Sequence, residues 1–151
     1  MNKLKIILIM LGIILGVGAL SNVVYAAGLN VEFEKSPLFE EGNFVPGNTT
    51  TKWIKIGNTS GSTQKIIVEA INKNDPDNFS EKLKLIIKEG ENTIFENTLK
   101  TFFGQGETYL SDLVNNGNTQ YDFSIVFNTE AKDDWQGKTL GFDIVIGFQE
   151  I

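Results

Sequence analysis

The chain has 151 residues, 41% of them hydrophobic and 21% charged, which is the material of one packed domain and not of a disordered segment. It has no cysteine and no histidine, so disulfides, a thiol nucleophile, an iron–sulfur cluster, a His- or Cys-ligated zinc and a Ser-His-Asp triad are excluded. Its 13 basic residues are all lysines and face 19 carboxylates, and the net charge of −6 argues against nucleic acid as a partner.

The first 26 residues have the layout of a secretory signal. Lys3 and Lys5 form a short positive region. An apolar run follows over 6–20, broken by Gly12, Gly16, Gly18 and Ala19. Val24-Tyr25-Ala26 then places small residues where a signal peptidase requires them. Cleavage is expected between Ala26 and Ala27. The competing reading is a retained anchor, since 6–27 is just long enough to span a bilayer; membrane contact is expected only through an uncleaved segment. The mature chain, 27–151, would carry 11 lysines against 19 carboxylates and be secreted, extracellular or at the cell surface. Without cysteine, such a domain must rest on apolar burial and strand pairing.

Strand patterns then follow one another. Residues 29–34 alternate Leu29, Val31 and Phe33 with Asn30, Glu32 and Glu34, the period of a half-buried strand. A turn signature at 44–48 leads into a strand at 50–56, with Ile54 and Ile56 opposite Trp53 and Lys55. After a loop at 58–62, the strand at 64–71 is apolar on both faces and therefore expected to be central. Residues 72–78 are a polar loop leading to one helical turn at 79–82. Leu83, Leu85 and Ile87 alternate with lysines, and a turn at 90–92 brings in 93–97, a hairpin. Residues 99–103 have helical spacing over too short a span to assign. Residues 109–113 are a short strand or turn, and 115–118 a loop. In 119–128, Tyr121, Phe123, Ile125 and Phe127 share one face. In 138–149, Leu140, Phe142, Ile144, Ile146 and Phe148 share one face, opposite Gly141, Asp143, Val145 and Gly147. Seven to nine such strands predict an all-β, antiparallel β-sandwich in a single domain.

Several of these segments together resemble the TasA/camelysin family of secreted bacterial and archaeal proteins. They are the glycine-broken export signal; Phe44-Val45-Pro46-Gly47 followed by Trp53-Ile54-Lys55-Ile56-Gly57-Asn58; Tyr109-Leu110-Ser111-Asp112-Leu113; and Asp133-Asp134-Trp135-Gln136-Gly137-Lys138 running into Leu140-Gly141-Phe142-Asp143-Ile144 and ending Phe148-Gln149. The chain departs from the pattern at Trp135, where the family often has tyrosine, and in being short. The resemblance implies a jelly-roll-like sandwich and a structural subunit of a biofilm-matrix or surface fibre. It also implies assembly of the chain with itself, possible contacts to other matrix components, and lending of an N-terminal strand to the next subunit. Some family members carry a metallo-endopeptidase label instead.

The residues give that label little support, because a zinc peptidase draws its ligands from histidines. No catalytic residue, cofactor or metal site is expected. Residues 72–81 place oxygen ligands at alternate positions, faintly like a calcium loop, but lack the glycine and contain Pro76; a solvated loop is the plainer reading. Glu130, Asp133 and Asp134 form a second acidic cluster read the same way. Trp53 is either a ligand platform or a packing residue under a loop or at a subunit contact. Asn48, Asn58 and Asn78 begin Asn-x-Ser/Thr triplets, all expected in loops where a glycan would fit. The residues expected to carry assembly are Leu29, Val31 and Phe33, on a strand whose start nothing in the sequence ties to the domain. A monomeric surface-binding module is the remaining alternative.

Overall fold

Apolar side chains at every second position dictate the architecture. The structure is a computed structural model that describes residues 6–9, 23–26, 28–35, 38–41, 44–131 and 133–151. Among these, ten strands run in chain order: β1 (Ile6–Ile9), β2 (Val23–Ala26), β3 (Leu29–Phe33), β4 (Thr49–Asn58), β5 (Gln64–Asn74), β6 (Leu83–Glu89), β7 (Asn92–Thr98), β8 (Thr108–Leu113), β9 (Asn118–Phe127) and β10 (Gly141–Glu150). One sheet has the order β1-β10-β5-β8, the other β2-β3-β4-β9-β6-β7. Every pairing is antiparallel. The chain is therefore all-β, as its alternation predicts.

The two sheets share one core. Ile66, Val68 and Ala70 of β5 and Ile144, Ile146 and Phe148 of β10 come from the four-stranded sheet. Ile54 and Ile56 of β4, Leu85 and Ile87 of β6, and Tyr121, Phe123 and Phe127 of β9 come from the six-stranded one. Burying each such side chain is worth about 1.5–3 kcal/mol of transfer free energy. The central place of β5 follows from its two-faced pattern: it lies between β10 and β8. β6 and β7 form the expected hairpin.

β4 runs on to Asn58 and β5 to Asn74, into segments expected as loops, and three further elements differ from the sequence reading. The segment 99–103 is a true helix, α1 (Leu99–Gln105), because Thr98 caps it: the Thr98 hydroxyl accepts from the Thr101 amide at 3.1 Å. Leu99 and Phe102 are fully buried and plug the space beside β5 and β6. Residues 109–113 resolve as a strand, because β8 finds a partner in β5. The last strand begins at Gly141 and not at Lys138, since a single 3-10 turn, Asp133–Trp135, and Gly137 at φ +77° still steer the chain just before it.

β10 is buried over five consecutive residues, Ile144 to Phe148, so both of its faces are covered. Gly147 explains part of this. It lies opposite Ile67, and a Cβ there would approach Ile67 Cγ1 to 2.6 Å. Glycine lets the neighbouring isoleucine lie across the strand.

Within the expected signal segment, Ile6–Ile9 pairs with β10 and Val23–Ala26 with β3. Lys3, Lys5, most of the apolar run and Ala27 lie outside the described residues. Among the described residues no helix is long and apolar enough to cross a membrane.

Candidate functional site

Leu29, Val31 and Phe33 all point inward from β3, with exposures of 4%, 1% and 6%. Their register against β4 puts Leu29 opposite Asn58, Val31 opposite Ile56 and Phe33 opposite Ile54. Asn30 and Glu32 are half-buried on the other face. A shift of one residue would drive Asn30 and Glu32 into the core, so the register is pinned. The strand is five residues long and pairs with β4 over all five. Its other edge is covered by Val23–Ala26. Cleavage after Ala26 would make β3 the outermost strand of its sheet.

The start of β3 is tied to the domain, which corrects the sequence reading. The Gly28 carbonyl accepts from the Thr59 amide at 2.6 Å and from the Thr59 hydroxyl at 2.9 Å. Gly28 sits at φ +81°, and a Cβ there would lie 2.7 Å from the Ser60 Cα. Only glycine allows the chain to enter β3 this close to the 59–60 backbone. Local sequence shows the glycine but not the loop it must meet.

Asn58 anchors that loop, and it too departs from expectation. It is the last residue of β4 and wholly buried, not a loop residue. Its amide donates to the Leu113 carbonyl at 2.8 Å and the Ser62 carbonyl at 2.9 Å. Its Oδ1 accepts from the Ser60 amide at 3.0 Å and the Ser60 hydroxyl at 2.7 Å. A fully bonded buried amide leaves no room for a glycan in the folded chain. Asn48 and Asn78 are exposed, as a glycan would need.

Within β3, one group is unsatisfied. Asn30 Oδ1 is shielded from solvent and lacks a hydrogen-bond partner. Such an acceptor costs about 1–3 kcal/mol. This places a local weakness in the strand that the assembly reading requires to move.

The other chemistry-bearing candidates take structural roles. In the 72–81 stretch, whose first three residues extend β5, Asp75 receives the Phe79 amide at 2.6 Å and the Ser80 hydroxyl at 2.5 Å. Its carboxylate is spent on the 3-10 turn Phe79–Glu81. Trp53 lies half-exposed on the outer face of β4, with the Lys55 ammonium 4.3 Å from its ring centre. Trp135 stacks on Phe79 at 6.3 Å, and Phe79 meets Phe127 edge-on at 5.1 Å. Trp135 thus bolts the approach to β10 onto the core. Among the described residues no three His, Cys, Asp or Glu side chains converge as a metal site. With no imidazole or thiolate in the donor set, the residues do not fit a peptidase zinc.

Sequence reasoning missed a polar tie between the sheets. Tyr121 of β9 is fully buried, and its hydroxyl lies 2.6 Å from Ser111 Oγ on β8. Ser111 donates to Glu89 at 3.1 Å, and Thr119 also donates to Glu89. Burial pushes the Tyr121 phenol up to about 12. Alternation marked Tyr121 as inward but could not name its partner on another sheet. No family model matches the chain, and no curated protein matches it.

Proposed function

We propose that the chain is a secreted structural subunit of an extracellular fibre or surface matrix, assembling head to tail by lending β3 to the next subunit. The observation that carries the reading is β3 itself. It is a short strand directly after the expected cleavage point, with Leu29, Val31 and Phe33 inward. Removed from its slot, it leaves an apolar groove along Ile54 and Ile56 and an open β4 edge, the condition for strand addition between chains. Replacement by the β3 of another copy restores the same contacts. A head-to-tail exchange that does not close on itself extends into a filament. The resemblance to the TasA/camelysin family supports the same reading, and a jelly-roll-like course of the strands is part of the proposal.

Electron microscopy of the concentrated protein beginning at Ala27 tests it. Filaments are expected from that chain. Deleting 27–34, or introducing Val31→Asp with Phe33→Asp, should leave soluble monomers. The deleted form should take up an added peptide of sequence 27–34. Filaments from the deletion variant would overturn strand donation.

A further inference from the structure

Beyond Phe33 the sandwich stays open. A cleft of about 840 Å³ lies there between the sheets. Phe33 of β3, Leu83 of β6, Ile125 of β9 and Ile144 of β10 form its apolar floor. Phe39, Phe44 and Phe142, each half-buried, stand around it as aromatic walls. Volume and lining match sites that enclose a small organic ligand, typically about 300–1,000 Å³ and mostly apolar. Phe44 is braced by stacking on Phe127 at 5.9 Å, and Phe142 by an edge contact with Phe103 at 5.1 Å. The walls are held by the core and so are present before any ligand arrives.

The mouth carries mainly one sign of charge. Glu40, Glu41 and Asp143 border it. The Thr50 hydroxyl donates to Glu41 at 2.9 Å, and the Asn72 amide donates to Asp143 at 2.7 Å. These neutral donors orient the carboxylates without cancelling their charge. Glu40 meets Lys35 only loosely, at 3.5 Å. Lys138, the lysine among the lining residues, is engaged by Asp77 at 3.2 Å. Aromatic faces attract cations, and a carboxylate beside them adds direct attraction. An anion would meet three carboxylates on a chain already at −6.

We propose that this cleft binds an organic cation with an apolar body, an alkyl- or arylammonium compound. The body lies between the sheets on Phe33 and Ile144. The ammonium sits at the mouth among Phe39, Phe142, Glu41 and Asp143. Phe33 of the floor is supplied by β3, its own or a donated copy, while the walls Phe39, Phe44 and Phe142 lie outside β3, so the cleft is present in monomer and filament alike.

The test is titration of the purified chain with dodecyltrimethylammonium below its micelle-forming concentration, read by calorimetry and amide-resolved NMR. Dodecyl sulfate, of equal chain length, is the anionic comparison. Expected is saturable binding of one cation per chain, with shifts at Phe39, Phe44 and Phe142 and an affinity at least about tenfold above that for dodecyl sulfate. Glu41→Gln combined with Asp143→Asn should weaken the cation about tenfold and not weaken the sulfate. Both substitutions are on the rim, and an unchanged amide spectrum elsewhere confirms that the variant is folded. No saturable binding, equal binding of the two detergents, shifts centred away from the cleft, or indifference to the double substitution would each overturn the proposal.

Discussion

β3 and β9 are strands of the same design, strictly alternating, with their inward side chains at 6% exposure or less. Their surroundings differ. β9 has ten residues and lies between β4 and β6, paired with the first from Thr49↔Val126 to Gly57↔Asn118 and with the second from Leu83↔Phe127 to Glu89↔Tyr121. β3 has five residues, holds on the domain side only to β4, and ends at an open cleft. Burial of individual side chains is therefore a poor measure of how firmly a strand is held. Firmness comes from the length of pairing on both edges and from neighbours that close behind each side chain. In the proposed assembly the exchanged strand is therefore β3, which keeps only five residues of pairing to β4 once Val23–Ala26 is removed, and not β9.

The largest expected effect on stability is at β9. Phe123→Ala should cost about 3–5 kcal/mol in denaturant unfolding, because it leaves an enclosed void between two sheets. Phe33→Ala should fall below that range, since the truncated site merges with a cleft already open to solvent. Equal costs would break the comparison between the two strands.

Asn58→Ala sharpens it from the other side. The change leaves the Leu113 and Ser62 carbonyls without their donor and loosens the loop that carries Thr59. A loss of about 1–3 kcal/mol is expected. Hydrogen exchange should accelerate first at Leu29–Phe33 and little at β9. Uniform acceleration would show that the two strands open together.

Thr98→Ala should cost about 1 kcal/mol by removing the cap of α1, read as a drop in melting temperature without loss of β3 protection. The smallest effect at neutral pH concerns Tyr121. Its folded-state value, raised from 10.0 to about 12 by burial, means that the native state keeps the proton longer than the unfolded chain. The contribution is complete below pH 10 and is lost as pH rises toward 12. Stability should fall across that window. Tyr121→Phe should flatten this part of the pH profile, measured by denaturant unfolding at stepped pH, whereas a variant at β3 should leave it unchanged.

The inward residues of β3, β4, β6 and β9 are legible from sequence because a strand's period is two and both half-buried faces are written in consecutive letters. The same logic reads β5 as central, and the absence of cysteine and histidine settles which ligand chemistries the chain lacks. Alternation says which face is apolar and not which strand lies alongside, since pairing joins residues far apart in the chain. Hence the tertiary structure alone decided that Gly28 is held by Thr59, that Asn58 is buried and spent on Leu113, and that Tyr121 meets Ser111 across the sheets. It alone decided that β10 would be covered on both faces. It alone placed Phe39, Phe142 and Glu41 around one opening, because a cleft is space left between elements and no single segment encodes it.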